Sequence, residues 1–122
     1  MDGLSADSFV TVDSLRIHGK HGHYAHERNV EQEFDVALVV GFDTRKAAQS
    51  DNLKDTLDYD TLQNIVTSIF SKKSKYLVES LAEEIASQIL NDSRVSEVMV
   101  SIKKVAVWKE GIPGVKIIRK RP

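Results

Sequence analysis

Four side chains in this sequence are placed as though for chemistry: Lys104, Glu79, Tyr59 and Glu27. Lys104 keeps phase with Val98, Val100 and Ile102 in a stretch of period two, so its side chain starts on the apolar face of a strand. A lysine there must either reach water or find a partner. Partly withdrawn from water, it is suited to carrying protons. Glu79 stands at the start of an amphipathic helix. A carboxylate there gains from the helix dipole, and it can also accept hydrogen bonds from a ligand edge with adjacent N–H groups. Tyr59 opens another helix, where its ring can pack or can line a pocket and offer a hydroxyl. Glu27 lies in a long connection, where a carboxylate is ordinarily solvated.

That connection, within the run GKHGHYAHERNVEQEF from Gly19 to Phe34, also holds His21, His23 and His26, with His18 just before it. A tight hairpin needs only about two to five residues, so a connection from Gly19 to Glu31 asks for a functional reason. The spacing His21-x-His23 raises a zinc site of histidines, though no spacing in the run is diagnostic.

The elements that must position these groups follow from periodicity. Residues 8–18 read as a strand with a phase break: Val10 and Val12 differ in parity from Leu15 and Ile17, which a bulge at Asp13–Ser14 would repair. Residues 32–42 alternate cleanly, with Phe34, Val36, Leu38, Val40 and Phe42 on one face. A polar connector with one helical turn at 45–49 leads to Asp58, placed to cap a helix. Leu62, Ile65, Val66, Ile69 and Phe70 mark that helix over 60–71. Val78, Leu81, Ala82, Ile85 and Ile89 mark another over 75–91. Strands follow at 95–104 and 115–119. The order ββααββ predicts an α+β domain spanning 1–122: a four-stranded antiparallel sheet with two helices on one face. Its two unpaired edges invite homo-oligomerisation.

Composition narrows the function. The 122 residues are 41% hydrophobic and 29% charged, as in a soluble domain, and the net charge of -1 argues against a nucleic-acid footprint. There is no cysteine, which excludes thiol chemistry and thiolate metal sites. The opening MDGLSADSF has neither the basic nor the apolar region of a secretory leader, and no apolar run approaches the ~20 residues of a membrane span. A cytoplasmic protein without membrane contact is expected, with residues 1–7 a disordered tail.

Several motifs in this order resemble the dihydroneopterin aldolase family. They are Gly19-Lys20-His21-Gly22 with Glu27, Gln32 and Phe34; Asp55-Thr56-Leu57-Asp58-Tyr59; Leu77-Val78-Glu79 through Ala86; Lys104; and Pro113 through Arg119. Val105 and Glu31 depart from it, where many members have proline and glycine. The resemblance implies the tunnelling fold, assembled edge to edge into barrels of four or eight copies with sites between subunits. It implies cleavage of 7,8-dihydroneopterin without metal, cofactor or Schiff base. Lys104, Tyr59 and Glu27 would move protons, and Glu79 would anchor the pterin, helped by the backbone at Leu57 and Val78. Three rivals are a dihydroneopterin or triphosphate epimerase of the same fold, a metal-dependent enzyme like 6-pyruvoyl-tetrahydropterin synthase, whose H-G-H-N-Y motif is similar to His21 through Tyr24, and a non-catalytic oligomeric binding module that kept the fold.

Overall fold

The alternation of residues 32–42 governs the architecture. A computed structural model describes residues 3–122, and in it strand β2 (Gln32–Phe42) lies at the centre of the packing. Phe34, Val36, Leu38 and Val40 have no exposed surface. Strand β1 (Phe9–Gly19) pairs with one side of β2, β3 (Val95–Lys104) with the other, and β4 (Gly114–Lys120) with β3, all antiparallel. The sheet order β1-β2-β3-β4 leaves β1 and β4 as edges.

The phase break in β1 is resolved by a bulge. The register slips between Val12 and Leu15, and Ser14 takes a left-handed conformation with φ 55°. Val10, Val12, Leu15 and Ile17 therefore all pair with the buried set of β2 and pack against the core. Without the extra residue, half of this strand would turn its apolar side chains away from the helices.

Two 12-residue helices cover that face: α3 (Tyr59–Phe70) over β1, and α4 (Val78–Ile89) over β3 and β4. Asp58 caps α3 by accepting from the Asp60 N–H at 2.9 Å. Leu62, Val66, Ile69 and Phe70 of α3 meet Leu81, Ala82, Ile85 and Ile89 of α4 in one apolar cluster with the sheet. Helix α4 starts at Val78 rather than 75, because Lys75 and Tyr76 are committed to tertiary contacts with His21 and Arg28.

Two short α-helices and a 3-10 helix at Leu53–Asp55 complete the chain. The expected turn at 45–49 is α2 (Arg45–Ser50), and a further five-residue helix, α1 (Ala25–Asn29), sits inside the long β1–β2 connection. The expectation of a disordered tail over 1–7 needs correction for Ser5 and Ala6. Their backbone N–H groups donate to the carboxylate of Glu97, at 3.0 and 2.5 Å, on the helix-free face of the sheet. Glu97 is itself 2% exposed. Met1 and Asp2 lie outside the described residues. No helix among the described residues is long and apolar enough to cross a membrane.

Candidate active site

Lys104 is the last residue of β3, directly across from Phe34, so its stem starts on the helix-covered face as its phase predicts. Its head does not snorkel to water. It meets Glu27 at 2.9 Å, and the two side chains keep only 19% and 9% of their surface exposed. The strand and the long loop are 77 residues apart in sequence and converge on this one contact.

Three features of the loop place Glu27. Gly22 leaves space for it: a Cβ on Gly22 would stand 2.5 Å from the Glu27 side chain. The Tyr24 N–H donates to Glu27 Oε1 at 3.3 Å across the first turn of α1. Arg28 donates to the carbonyls of Gly22 and His23 and stacks 4.3 Å over the Tyr76 ring, tying α1 to the α3–α4 connector. Burial pushes the Glu27 carboxyl up. Bonds from Lys104 and the Tyr24 N–H, the Lys104 charge and Gln32 outweigh it and hold the group below its ordinary value. Glu27 is therefore a carboxylate held beside an amine, in a partly desolvated setting where removal of either partner leaves the other unpaired.

The G-x-H-G motif is explained by packing and by bonds to distant backbone. His21 is 1% exposed, with its ring against Phe34 and Phe70. A Cβ on Gly19 would collide with that ring at 2.7 Å. The Lys75 N–H donates to Nδ1 at 3.0 Å, which leaves Nε2 to donate to the Phe70 carbonyl at 2.8 Å. Both ring nitrogens are committed to the protein's own backbone, so the residue at the head of the histidine motif has no lone pair for a metal. His23 and His26 instead flank the Tyr24 ring.

Glu79 and Val78 open α4 directly after the connector that His21 holds, so they stand at the same end of the sheet as Lys104. Glu79 is exposed. Tyr59 and Leu57 lie elsewhere. Tyr59 is the first residue of α3 and Phe70, beside Phe34, is its last. Eleven steps of helix separate them by about 16 Å. Tyr59 is 66% exposed and lines a cleft of about 400 Å³ with Thr11, Val12 and Leu15 of the edge strand. Leu57 is buried just before it. Their segment is held by Arg94, which donates to the carbonyls of Lys54 and Thr56 at 3.4 and 3.3 Å and ion-pairs with Asp92.

The candidate residues thus fall into two separate groups within one chain. The first joins Glu27 and Lys104, with Val78 and Glu79 at the same end. The second carries Leu57 and Tyr59. The sequence singled out the residues of both but not their separation, nor the roles of Arg28 and Arg94.

A family model described as FolB, dihydroneopterin aldolase, matches residues 10–117. The chain is 33% identical over 121 residues to a dihydroneopterin aldolase of Staphylococcus epidermidis, covering 93% of this chain and 97% of that one. It is 38% identical over 95 residues to the Streptomyces coelicolor enzyme of the same name, covering 78% of this chain and 80% of that one. In fold it is similar to an Escherichia coli dihydroneopterin aldolase solved in complex with neopterin, with a TM-score of 0.86 at 31% identity, over 92% of this chain and 98% of that one.

Proposed function

The chain belongs to the dihydroneopterin aldolase family, and from that premise we propose how its residues divide the work of a carbon–carbon lyase on 7,8-dihydroneopterin. The products are 6-hydroxymethyl-7,8-dihydropterin and glycolaldehyde. The observation that carries the proposal is the Lys104–Glu27 pair, an amine and a carboxylate brought together at the end of the sheet.

A retro-aldol cleavage needs an electron sink next to the breaking bond. The dihydropterin supplies its own, a C=N bond conjugated to the side chain, so neither a lysine imine nor a metal is required of the protein. What remains is to bind, orient and move protons. Glu79 accepts from the 2-amino and N3 hydrogens of the pterin, and backbone groups at Val78 and Leu57 complete that edge. The proton of the side-chain hydroxyl leaves as the carbon–carbon bond breaks and its electrons pass to the ring. Tyr59 handles that proton or the one that returns to the intermediate. Lys104 carries protons to and from the ring through a water, and Glu27 holds and assists it.

Tyr59 and Leu57 cannot serve the Lys104 end of their own copy across about 16 Å of helix. The complete site therefore combines the Glu27–Lys104–Glu79 half of one copy with the Leu57–Tyr59 half of another. The open edges β1 and β4 support an assembly of four or eight copies joined edge to edge. A cytoplasmic, homo-oligomeric enzyme with a free pterin as substrate belongs to the same reading.

The test is to incubate metal-stripped protein with 7,8-dihydroneopterin and resolve the pterins chromatographically, with Lys104→Ala alongside. Release of 6-hydroxymethyl-7,8-dihydropterin by the wild type alone supports the proposal. Formation of the side-chain epimer alone assigns the site to an epimerase. Turnover only after zinc is restored overturns the metal-free mechanism.

A further inference from the structure

We propose that His21 is a positioning residue that fixes the spacing between the proton-transfer pair Glu27–Lys104 and the pterin-anchoring edge at Val78–Glu79. This rests on the roles given to those groups above. His21 takes no part in the chemistry: it is buried and both its ring nitrogens are spent on backbone atoms.

The geometry is a reciprocal clamp. The Lys75 N–H donates to His21 Nδ1 at 3.0 Å, and the Gly22 N–H donates back to the Lys75 carbonyl at 2.9 Å. The third bond, from Nε2 to the Phe70 carbonyl at 2.8 Å, fastens the same ring to the end of α3. One imidazole thereby joins three segments: the loop, the end of α3 and the connector into α4. On the loop side, Gly22 abuts the Glu27 side chain. On the connector side, only Tyr76 and Leu77 separate Lys75 from Val78. The backbones at Gly22 and Lys75, which lead to the two functional groups, cannot part without breaking a bond of the clamp. Only the neutral ring with its proton on Nε2 offers one acceptor and one donor to these partners. The edges of Phe34 and Phe70 hold it against rotation. A displacement of the order of 1 Å is enough to cost about 10²-fold in rate, which is the scale on which such a pin matters.

The experiment is a double-mutant cycle in kcat on 7,8-dihydroneopterin, using His21→Phe, Glu27→Gln and the double variant, with His21→Gln as the conservative replacement. His21→Phe keeps the ring volume but loses all hydrogen bonding; His21→Gln retains one donor and one acceptor. The expected results are a loss of about 10²-fold for His21→Phe, partial recovery in His21→Gln, and a double variant within about threefold of Glu27→Gln alone. Losses that multiply in the double variant, or an unaffected kcat in His21→Phe, overturn the proposal. If His21→Phe does not fold, the same cycle with His21→Gln decides in the same way. Wild-type protein without turnover would overturn the aldolase roles instead. In that case amide exchange at Gly22 and Lys75 judges the clamp: faster exchange in the variant supports it, and unchanged protection refutes it.

Discussion

The two ends of helix α3 carry the two groups of candidate residues, and they differ in how far each is packed within one copy. At the Phe70 end, a buried histidine bonded to backbone, two close-packed glycines and a largely buried ion pair stand together. At the Tyr59 end, an aromatic ring two-thirds exposed faces an open cleft on an unpaired strand. Buried polar groups must be satisfied inside the chain that buries them, and His21, Glu27 and Lys104 meet that condition within one copy. The Tyr59 end presents an apolar ring and an open strand edge, the kind of surface that association covers. On the proposed reading, proton-transfer geometry is built by folding, whereas completion of the pocket is left to assembly.

Variants can break this contrast, most strongly at the finished end. Lys104→Ala should lower kcat by roughly 10²–10⁴-fold, the range of a lost acid–base group, and leave Glu27 unpaired. Steady-state kinetics with a thermal melt will separate the two effects. Tyr59→Phe should cost about 10²-fold in kcat while leaving the melting temperature in place, because the hydroxyl is not buried in one copy. A large drop in stability would mean that the tyrosine is structural. Gly22→Ala should push Glu27 off Lys104, since the added carbon falls where the glutamate stands. A loss of about 10-fold or more in kcat, with a normal far-ultraviolet spectrum, is the expected outcome. Arg94→Ala acts on the open half. It releases the carbonyls of Lys54 and Thr56 and should raise KM several-fold more than it lowers kcat, with about 1 kcal/mol or less lost in stability.

The smallest effect expected is one of pH. The Glu27 carboxyl is held below its ordinary value, so its contribution to stability is fully present above the ordinary carboxylate range. It disappears as pH falls through the lowered value of the folded state. The difference in melting temperature between wild type and Glu27→Gln should therefore narrow on acidification. A difference that stays constant with pH would show that Glu27 is not ionised beside Lys104.

Much of this was legible in the sequence where the signal is local. Alternation located β2 and β3 to the residue, and the parity change at Asp13–Ser14 announced the bulge. The phase of Lys104 placed its stem on the apolar face but left open whether its head reached water or a partner. What stayed hidden depends on distant backbone. The partners of His21 are the carbonyl of Phe70 and the N–H of Lys75, 49 and 54 residues away, and main-chain atoms leave no mark in a sequence. The same holds for Arg94 and the carbonyls it grips. Helix α1 escaped because five residues carry too short a period to read, and it is held by tertiary contacts rather than by propensity. The separation of Tyr59 from Lys104 is implicit in the helical period: a helix of twelve residues between Tyr59 and Phe70 sets them far apart.

The most direct test of a site divided between copies is complementation. Lys104→Ala and Tyr59→Phe, each nearly inactive alone, are unfolded together, refolded as a mixture and assayed on 7,8-dihydroneopterin. Random mixing would build an intact site wherever the Lys104 half comes from one variant and the Tyr59 half from the other, so activity should return to roughly a quarter of the wild-type level. A refolded, oligomeric mixture that stays as inactive as its components would contradict the account, because all the catalytic groups would then have to come from a single copy.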